Sequence, residues 1–234
     1  PVAKYGNRAA SSASGSSDVL RALGVYLEPE LPVLEQCLAG SKLCFLFAPR
    51  HHPAMRRVAD IRKKLGRRTI FNLLGPLTNP ANVKRHVIGV FDLEWLGPMT
   101  ETLKSLGSEA AWQAQGQDGI DEITTTTATD VVMLQHGLNN PSTISPEDYG
   151  MIRVTLEALR GKDATANADA MRALFRGVRS AYRDIVVFNA AAALVVAEKT
   201  DELRHGIVLA AEALDSGAVQ AVLEKIVRLT NKEV

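Results

Sequence analysis

The segment Leu43-Cys44-Phe45-Leu46-Phe47-Ala48 is apolar without interruption and is followed at once by Pro49, Arg50 and two histidines. An apolar run this short, with no alternation, reads as a strand buried on both faces, the pattern of a parallel sheet. Beyond it, Pro53 suits the first turn of a helix whose apolar stripe is Met55, Val58, Ile61 and Leu65. The same alternation recurs on either side. Residues 86–91, 109–115 and 130–135 read as strands, and 142–145 as a weaker one. Asp92 would cap a helix carrying Leu93, Leu96, Leu103 and Leu106, which Gly97 and Pro98 would bend or split. Upstream, a Ser/Gly-rich loop over 4–18 leads into a helix that Ser16 or Ser17 would cap and Gly24 would end, with Val19, Leu20 and Leu23 on one face. A second helix is expected over 30–39, with Leu31, Leu34 and Leu38 at helical spacing. The last third reads as helices over 167–176, 183–198, 201–214 and 218–229. Strands alternating with helices predict an α/β fold, a mainly parallel central sheet flanked by helices, with its ligand site at the carboxyl ends of the strands.

The 234 residues carry 27 basic and 26 acidic side chains, a net charge of +1, and are 46% hydrophobic. Such a chain can fill a core, which excludes wholesale disorder, and it has no global field for nucleic acid or a membrane. Cys37 and Cys44 are too few for a disulfide framework or a cysteine-rich zinc site, so a reduced, cytoplasmic setting is the default. The longest apolar run, 190–197, falls well short of the roughly 20 residues of a membrane span. No signal peptide opens the chain, and its start on Pro1 reads as a processed product or a fragment.

Three stretches could carry chemistry. The opening loop offers hydroxyls, backbone N–H groups and a helix start, with Lys4, Asn7 and Arg8 at its edge; it reads as a phosphate cradle or as a plain turn with a cap. Gly116-Gln117-Asp118-Gly119-Ile120-Asp121-Glu122 places three carboxylates after a strand. Adjacent Asp121 and Glu122 suit Mg²⁺ held partly through water, although a solvated acidic turn has the same composition. Over 50–68, eight basic residues face Asp60 alone, a local charge of +7. That segment reads as a solvated helix face, or as a nucleic-acid stripe, although no aromatic residue interleaves it for base stacking. One arginine turned inward, with Arg62 next to the apolar stripe, could hold a substrate carboxylate by a bidentate pair. His51-His52 lacks a third metal ligand nearby and reads as structural or as a hydrogen-bond partner. Neither cysteine has a base partner for nucleophilic work. Gly75-Pro76-Leu77-Thr78-Asn79-Pro80 reads as a rigid turn, structural first and site-forming second.

Four stretches together resemble the anthranilate phosphoribosyltransferase family: KYGNRAASSASGSSDVLRALG over 4–24, FAPRHHPAMRRVADIRKKLGRRTIFNLLGPLTNP over 47–80, DGIDEITTT over 118–126, and NAAAAL with EALDSG over 189–194 and 212–217. The resemblance implies the fold shared by phosphoribosyltransferases of this type and nucleoside phosphorylases. It also implies transfer of a phosphoribosyl group from phosphoribosyl pyrophosphate to the amine of anthranilate, in tryptophan biosynthesis. By position it implies that Lys4, Tyr5, Gly6, Asn7, Arg8, Ala9, Ala10, Ser11, Ser12 and Ser16 contact phosphoribosyl pyrophosphate. Asn7 and Arg62 would hold anthranilate, and Asp121 and Glu122 would ligate Mg²⁺, with no residue assigned as acid or base. Tyr5 stands where the family has histidine. The resemblance further implies that 1–234 is the C-terminal α/β domain, that about 49–80 pack toward a helical domain, and that this N-terminal helical domain and its glycine-rich loop are absent from the sequence. A cytoplasmic homodimer is the implied assembly of the full-length protein. The alternative is a non-catalytic relative or fragment of the same fold, binding nucleic acid through 50–68.

Overall fold

The computed structural model describes residues 1–7, 14–52, 61, 64–66 and 68–232. In chain order the elements are β1 (Val2–Gly6), α1 (Ser16–Ala22), α2 (Leu31–Ser41), β2 (Leu43–Phe47), α3 (Ala48–His51), α4 (Ile70–Leu77), β3 (Arg85–Gly89), α5 (Leu96–Ser105), β4 (Ala110–Gly116), β5 (Thr129–Gln135), β6 (Leu138–Ile144), α6 (Ala164–Phe175), α7 (Ala181–Val196), α8 (Leu203–Asp215) and α9 (Ala218–Thr230). They group into two compact units, Pro1–Asn82 with Gly161–Arg176 and Ser216–Val234, and Val83–Arg160 with Gly177–Asp215.

In the first unit β1 and β2 run parallel, with Lys4 opposite Phe45 and Gly6 opposite Phe47. Both faces of β2 are covered, which is why the strand is apolar throughout. Cys44 and Leu46 pack with Val33, Leu34 and Cys37 of α2. Phe45 and Phe47 pack on the other face with Val25, Leu27 and Ile226 of α9. Neither Ser16 nor Ser17 caps α1. Gly15 is the cap residue, and its N–H donates to the Asp18 carboxylate at 2.9 Å. Ser17, fully buried, donates instead to the Asn7 carbonyl at 3.1 Å, because a buried hydroxyl takes the nearest acceptor that water cannot reach. The helix expected from Pro53 lies largely outside the described residues; of its stripe, Ile61 and Leu65 are exposed. The segment read as a turn from Gly75 begins later, since α4 continues through Pro76 to Leu77. The Thr78 hydroxyl closes that helix by donating to the Leu74 and Gly75 carbonyls, both at 3.1 Å.

In the second unit the sheet order is β3-β4-β5-β6. The expected parallel direction holds for β1–β2 and β3–β4, whereas β4, β5 and β6 run antiparallel. The reversal comes from a tight hairpin: Gln135 pairs with Leu138 around His136 and Gly137, whose φ values of 51° and 76° are both left-handed. Pairing with β5 extends β6 well beyond the short strand expected at 142–145. Asp92 caps a short 3₁₀ turn over Leu93–Trp95, and α5 begins after it. Pro98 therefore sits in the first turn of α5, where its missing N–H costs nothing, and the helix is not split. The core lies between β4 and α7: Ala110, Trp112 and Ala114 meet Phe188, Ala191, Ala192 and Val196. An alanine Cβ at Gly206 of α8 would lie 2.9 Å from the Ala191 carbonyl oxygen, so the two helices pack backbone to backbone. Arg183 of α7 is buried and donates to the Asp215 carboxylate at 2.9 Å. Among the described residues no single helix is long and apolar enough to cross a membrane.

Two stability tests follow from this packing. Phe188 is 0% exposed, so Phe188→Ala should destabilise the fold by about 3–5 kcal/mol in urea unfolding, as for other large-to-small core changes. Burial, with Lys84 adding to it, lowers the His86 imidazole below its ordinary value of 6.5. The folded state therefore binds this proton more weakly than the unfolded chain, and stability should fall as pH drops through 6.5 toward the depressed value. His86→Gln should flatten that part of the stability–pH curve measured by urea titration.

Candidate functional site

Of the residues singled out from the sequence, Lys4 to Asn7 lie at the end of β1 in the first unit, and Asp121 and Glu122 follow β4 in the second. In the first unit β1 delivers Lys4, Tyr5 and Gly6, with Asn7 directly after it. Strand alternation gives these side chains different fates. Lys4 is exposed, whereas Tyr5 turns to the α2 side and joins the cluster of Val33, Leu34 and Cys37. Its ring meets His52 edge to face, with centroids 5.5 Å apart. Burial raises the Tyr5 phenol above its ordinary value. Gly6 is held in close quarters: a Cβ there would stand 3.1 Å from the Phe45 ring and 3.2 Å from the Ser16 hydroxyl. The end of β1 is thus fastened to the start of α1, through Gly6 against Ser16 and through Asn7 to Ser17.

The turn after α4 is tied to the same strand. Asn79 donates to the Ala3 carbonyl at 3.0 Å, and His52 Nε2 lies 2.9 Å from the Thr78 carbonyl. His52 is therefore the hydrogen-bond partner expected of one of the two histidines. Burial, with His52 and Arg50 nearby, lowers the His51 imidazole. Within the basic segment Arg50 is engaged, donating to the Glu28 carbonyl and pairing with Glu30, each at 2.7 Å. Arg8, Ala9, Ala10, Ser11, Ser12 and Arg62 lie outside the described residues.

In the second unit β4 ends at Gly116 and the acidic turn follows. Asp118 is the structural member of its three carboxylates. It accepts from the Ile120 N–H at 3.0 Å, from the Thr124 hydroxyl at 2.9 Å and from the Thr126 hydroxyl. Gly116 leaves room for it, since a Cβ there would fall 2.3 Å from Asp118 Oδ1. Gly119 takes φ +87° and lets the chain reverse, so that the Gly116 N–H meets the Ile120 carbonyl at 2.8 Å. Asp121 and Glu122 are exposed on the outer side of this turn. Directly behind them, Ile123 is 0% exposed with its side chain in the core. Its N–H donates to Asn189 Oδ1 at 2.9 Å, and its carbonyl accepts from Asn189 Nδ2 at 2.8 Å.

Two adjacent, exposed carboxylates on an immobilised turn are a donor set that fits Mg²⁺, which binds through one or two carboxylates and takes its other ligands from water and substrate phosphates. Among the described residues no cluster of three or more His, Cys, Asp or Glu forms an all-protein metal cage. Sequence reasoning counted Asp118 among three carboxylates, singled out Asp121 and Glu122 for Mg²⁺, and assigned no role to Asp118, Asn189, Thr124 or Thr126. A polar Asn189 ahead of four alanines, and four consecutive threonines after the acidic turn, were the available signals.

Residues 1–220 match the glycosyl transferase family, a/b domain. Anthranilate phosphoribosyltransferase of Azorhizobium caulinodans is 52% identical over 98% of this chain and 67% of its own, and that of Azospirillum brasilense is 53% identical over 100% and 65%. Among solved structures, anthranilate phosphoribosyltransferase from Thermus thermophilus superposes with a TM-score of 0.90 at 41% identity, covering 98% of this chain and 68% of that one. The Saccharomyces cerevisiae enzyme in complex with PRPP and Mg gives 0.87 at 25% identity, covering 97% and 64%. The chain therefore spans about two thirds of the length of these relatives, and it belongs to the anthranilate phosphoribosyltransferase family.

Proposed function

We propose that this protein transfers the phosphoribosyl group of phosphoribosyl pyrophosphate to the amine of anthranilate, yielding N-(5-phosphoribosyl)anthranilate and pyrophosphate in tryptophan biosynthesis. The observation that carries the reading is the exposed Asp121-Glu122 pair standing on the buried Ile123, in a chain with this family's fold. Asp121 and Glu122 hold Mg²⁺, which when bound offsets the charge that develops on the departing pyrophosphate. Lys4 and Arg8 set positive charge against the phosphates, and the family's further phosphoribosyl pyrophosphate contacts are assigned by position to Tyr5, Gly6, Asn7, Ala9, Ala10, Ser11, Ser12 and Ser16. Tyr5 contributes through its main chain, because its ring is engaged with His52. Asn7 and Arg62 orient anthranilate, Arg62 through a bidentate pair with the carboxylate. The aryl amine is neutral near pH 7 and attacks the anomeric carbon with its own lone pair, so positioning, rather than a strong base, supplies much of the acceleration.

The reading extends to the assembly. Residues of about 49–80 pack toward a helical domain of the full-length protein, which works as a cytoplasmic homodimer. Four large apolar side chains of that stretch, Ile61, Leu65, Ile70 and Leu74, are exposed and support such a contact.

The deciding assay is loss of anthranilate fluorescence with phosphoribosyl pyrophosphate and Mg²⁺ supplied or withheld. Turnover should require both, and the double variant Asp121→Asn/Glu122→Gln should lose it at least a hundredfold. Turnover that survives removal of the metal would reject the proposed role of the acidic pair. Arg62→Ala should raise the KM for anthranilate about 10- to 100-fold with a smaller change in kcat, as expected when a charged hydrogen bond to the substrate is lost; an unchanged KM would reject the arginine's assignment.

A further inference from the structure

The acidic turn is exposed, yet its backbone is held from two sides by residues that bear no charge. From one side comes Asn189 of α7. Its amide oxygen accepts the Ile123 N–H at 2.9 Å and its amide nitrogen donates to the Ile123 carbonyl at 2.8 Å, so one side chain pairs with a single residue as a neighbouring strand would. The same nitrogen donates to the Ile185 carbonyl at 2.9 Å, which locks the amide orientation onto its own helix. From the other side comes Gly89, the last residue of β3. An alanine Cβ at that position would lie 1.6 Å from the Asp121 carbonyl oxygen, 2.4 Å from its carbonyl carbon and 3.0 Å from its Cβ. Gly89 does not have positive φ. The constraint there is therefore space and not backbone conformation, and every atom within that clash belongs to Asp121.

We infer that Asn189 and Gly89 are positioning residues for the divalent cation: the amide fixes the backbone following Glu122, and the missing side chain lets the backbone of Asp121 settle against β3. The inference rests on the reading of Asp121 and Glu122 as metal ligands and adds to it the devices that set their location. The physical requirement is strict. Mg²⁺ accepts little departure from octahedral geometry, so two carboxylates on adjacent residues serve it only if their shared backbone is fixed. Both residues are exposed, and a carboxylate is placed only as precisely as the main chain that carries it, here held by Asn189 at Ile123 and by Gly89 at Asp121. Partners one step removed from a metal commonly change affinity 10- to 100-fold when they are lost.

The test uses the full chain with Mn²⁺ as the probe, its binding followed by water-proton relaxation or by the electron-spin-resonance signal of the free ion. Asn189→Ser and Gly89→Ala should each weaken Mn²⁺ binding about tenfold or more, with circular dichroism unchanged. Asp121→Asn/Glu122→Gln is the reference that removes the ligands. If that reference keeps the wild-type affinity, the metal reading itself falls. If the reference loses affinity while both positioning variants keep it, the metal reading stands and this inference falls. Hydrogen exchange on the unaltered protein gives a readout that needs no variant. The Ile123 amide should exchange slowly in spite of its exposed neighbours, and exchange as fast as in the rest of the acidic turn would overturn the role given to Asn189 even if neither variant folds.

Discussion

A polar loop can enter an apolar core only if each backbone N–H and carbonyl taken from water finds another partner. Residues 116–130 meet much of that demand through a shared set of side chains. Thr124, Thr125 and Thr129 are fully buried beside Ile123. The Thr124 N–H donates to the Thr129 hydroxyl at 3.0 Å, and the Thr126 N–H donates to the Thr124 hydroxyl at 3.1 Å. The Asp118 carboxylate gathers both threonine hydroxyls from the surface side, while Asn189 satisfies Ile123 from the helix side. Removing any one member leaves a buried polar group unpaired, which costs more than the hydrogen bond itself contributes.

This network also explains the division of labour among the carboxylates. Asp118 is engaged by the turn, accepting from Ile120, Thr124 and Thr126. Asp121 and Glu122 lie just before the buried Ile123 and are exposed. In each unit candidate residues lie at or just after the C-terminal end of a parallel strand, Lys4 to Asn7 for β1 and the acidic turn for β4. At those ends the loops are free to carry chemistry while the sheet holds their roots.

Several elements were legible along the chain because their signal is local. The apolar run of β2, the helical stripes of α7 and α9, and the carboxylate pair all depend on residue type and spacing alone. Other features depend on what lies opposite. The full length of β6 is set by β5, and Leu138 to Asn140 carry no strand pattern of their own. Ser17 has the composition of a helix cap and became a tie to Asn7 because it is buried. Pro98 looked like a break and is harmless because α5 starts just before it.

Residue types and their spacing along the chain are enough for the class of fold, the family and the chemical types at the candidate site. These follow from apolar periodicity and from motifs that stay together in the chain. Packing in three dimensions sets which of the three clustered carboxylates are exposed, turns Tyr5 toward α2 and His52, and brings Gly89 and Asn189 to the acidic turn. The reason is physical: Asn189 lies 66 positions from Ile123, and Gly89 touches Asp121 only because strand and turn pack backbone to backbone. Spacing along a chain encodes local geometry, whereas a clamp between distant residues exists only once the core has brought them together.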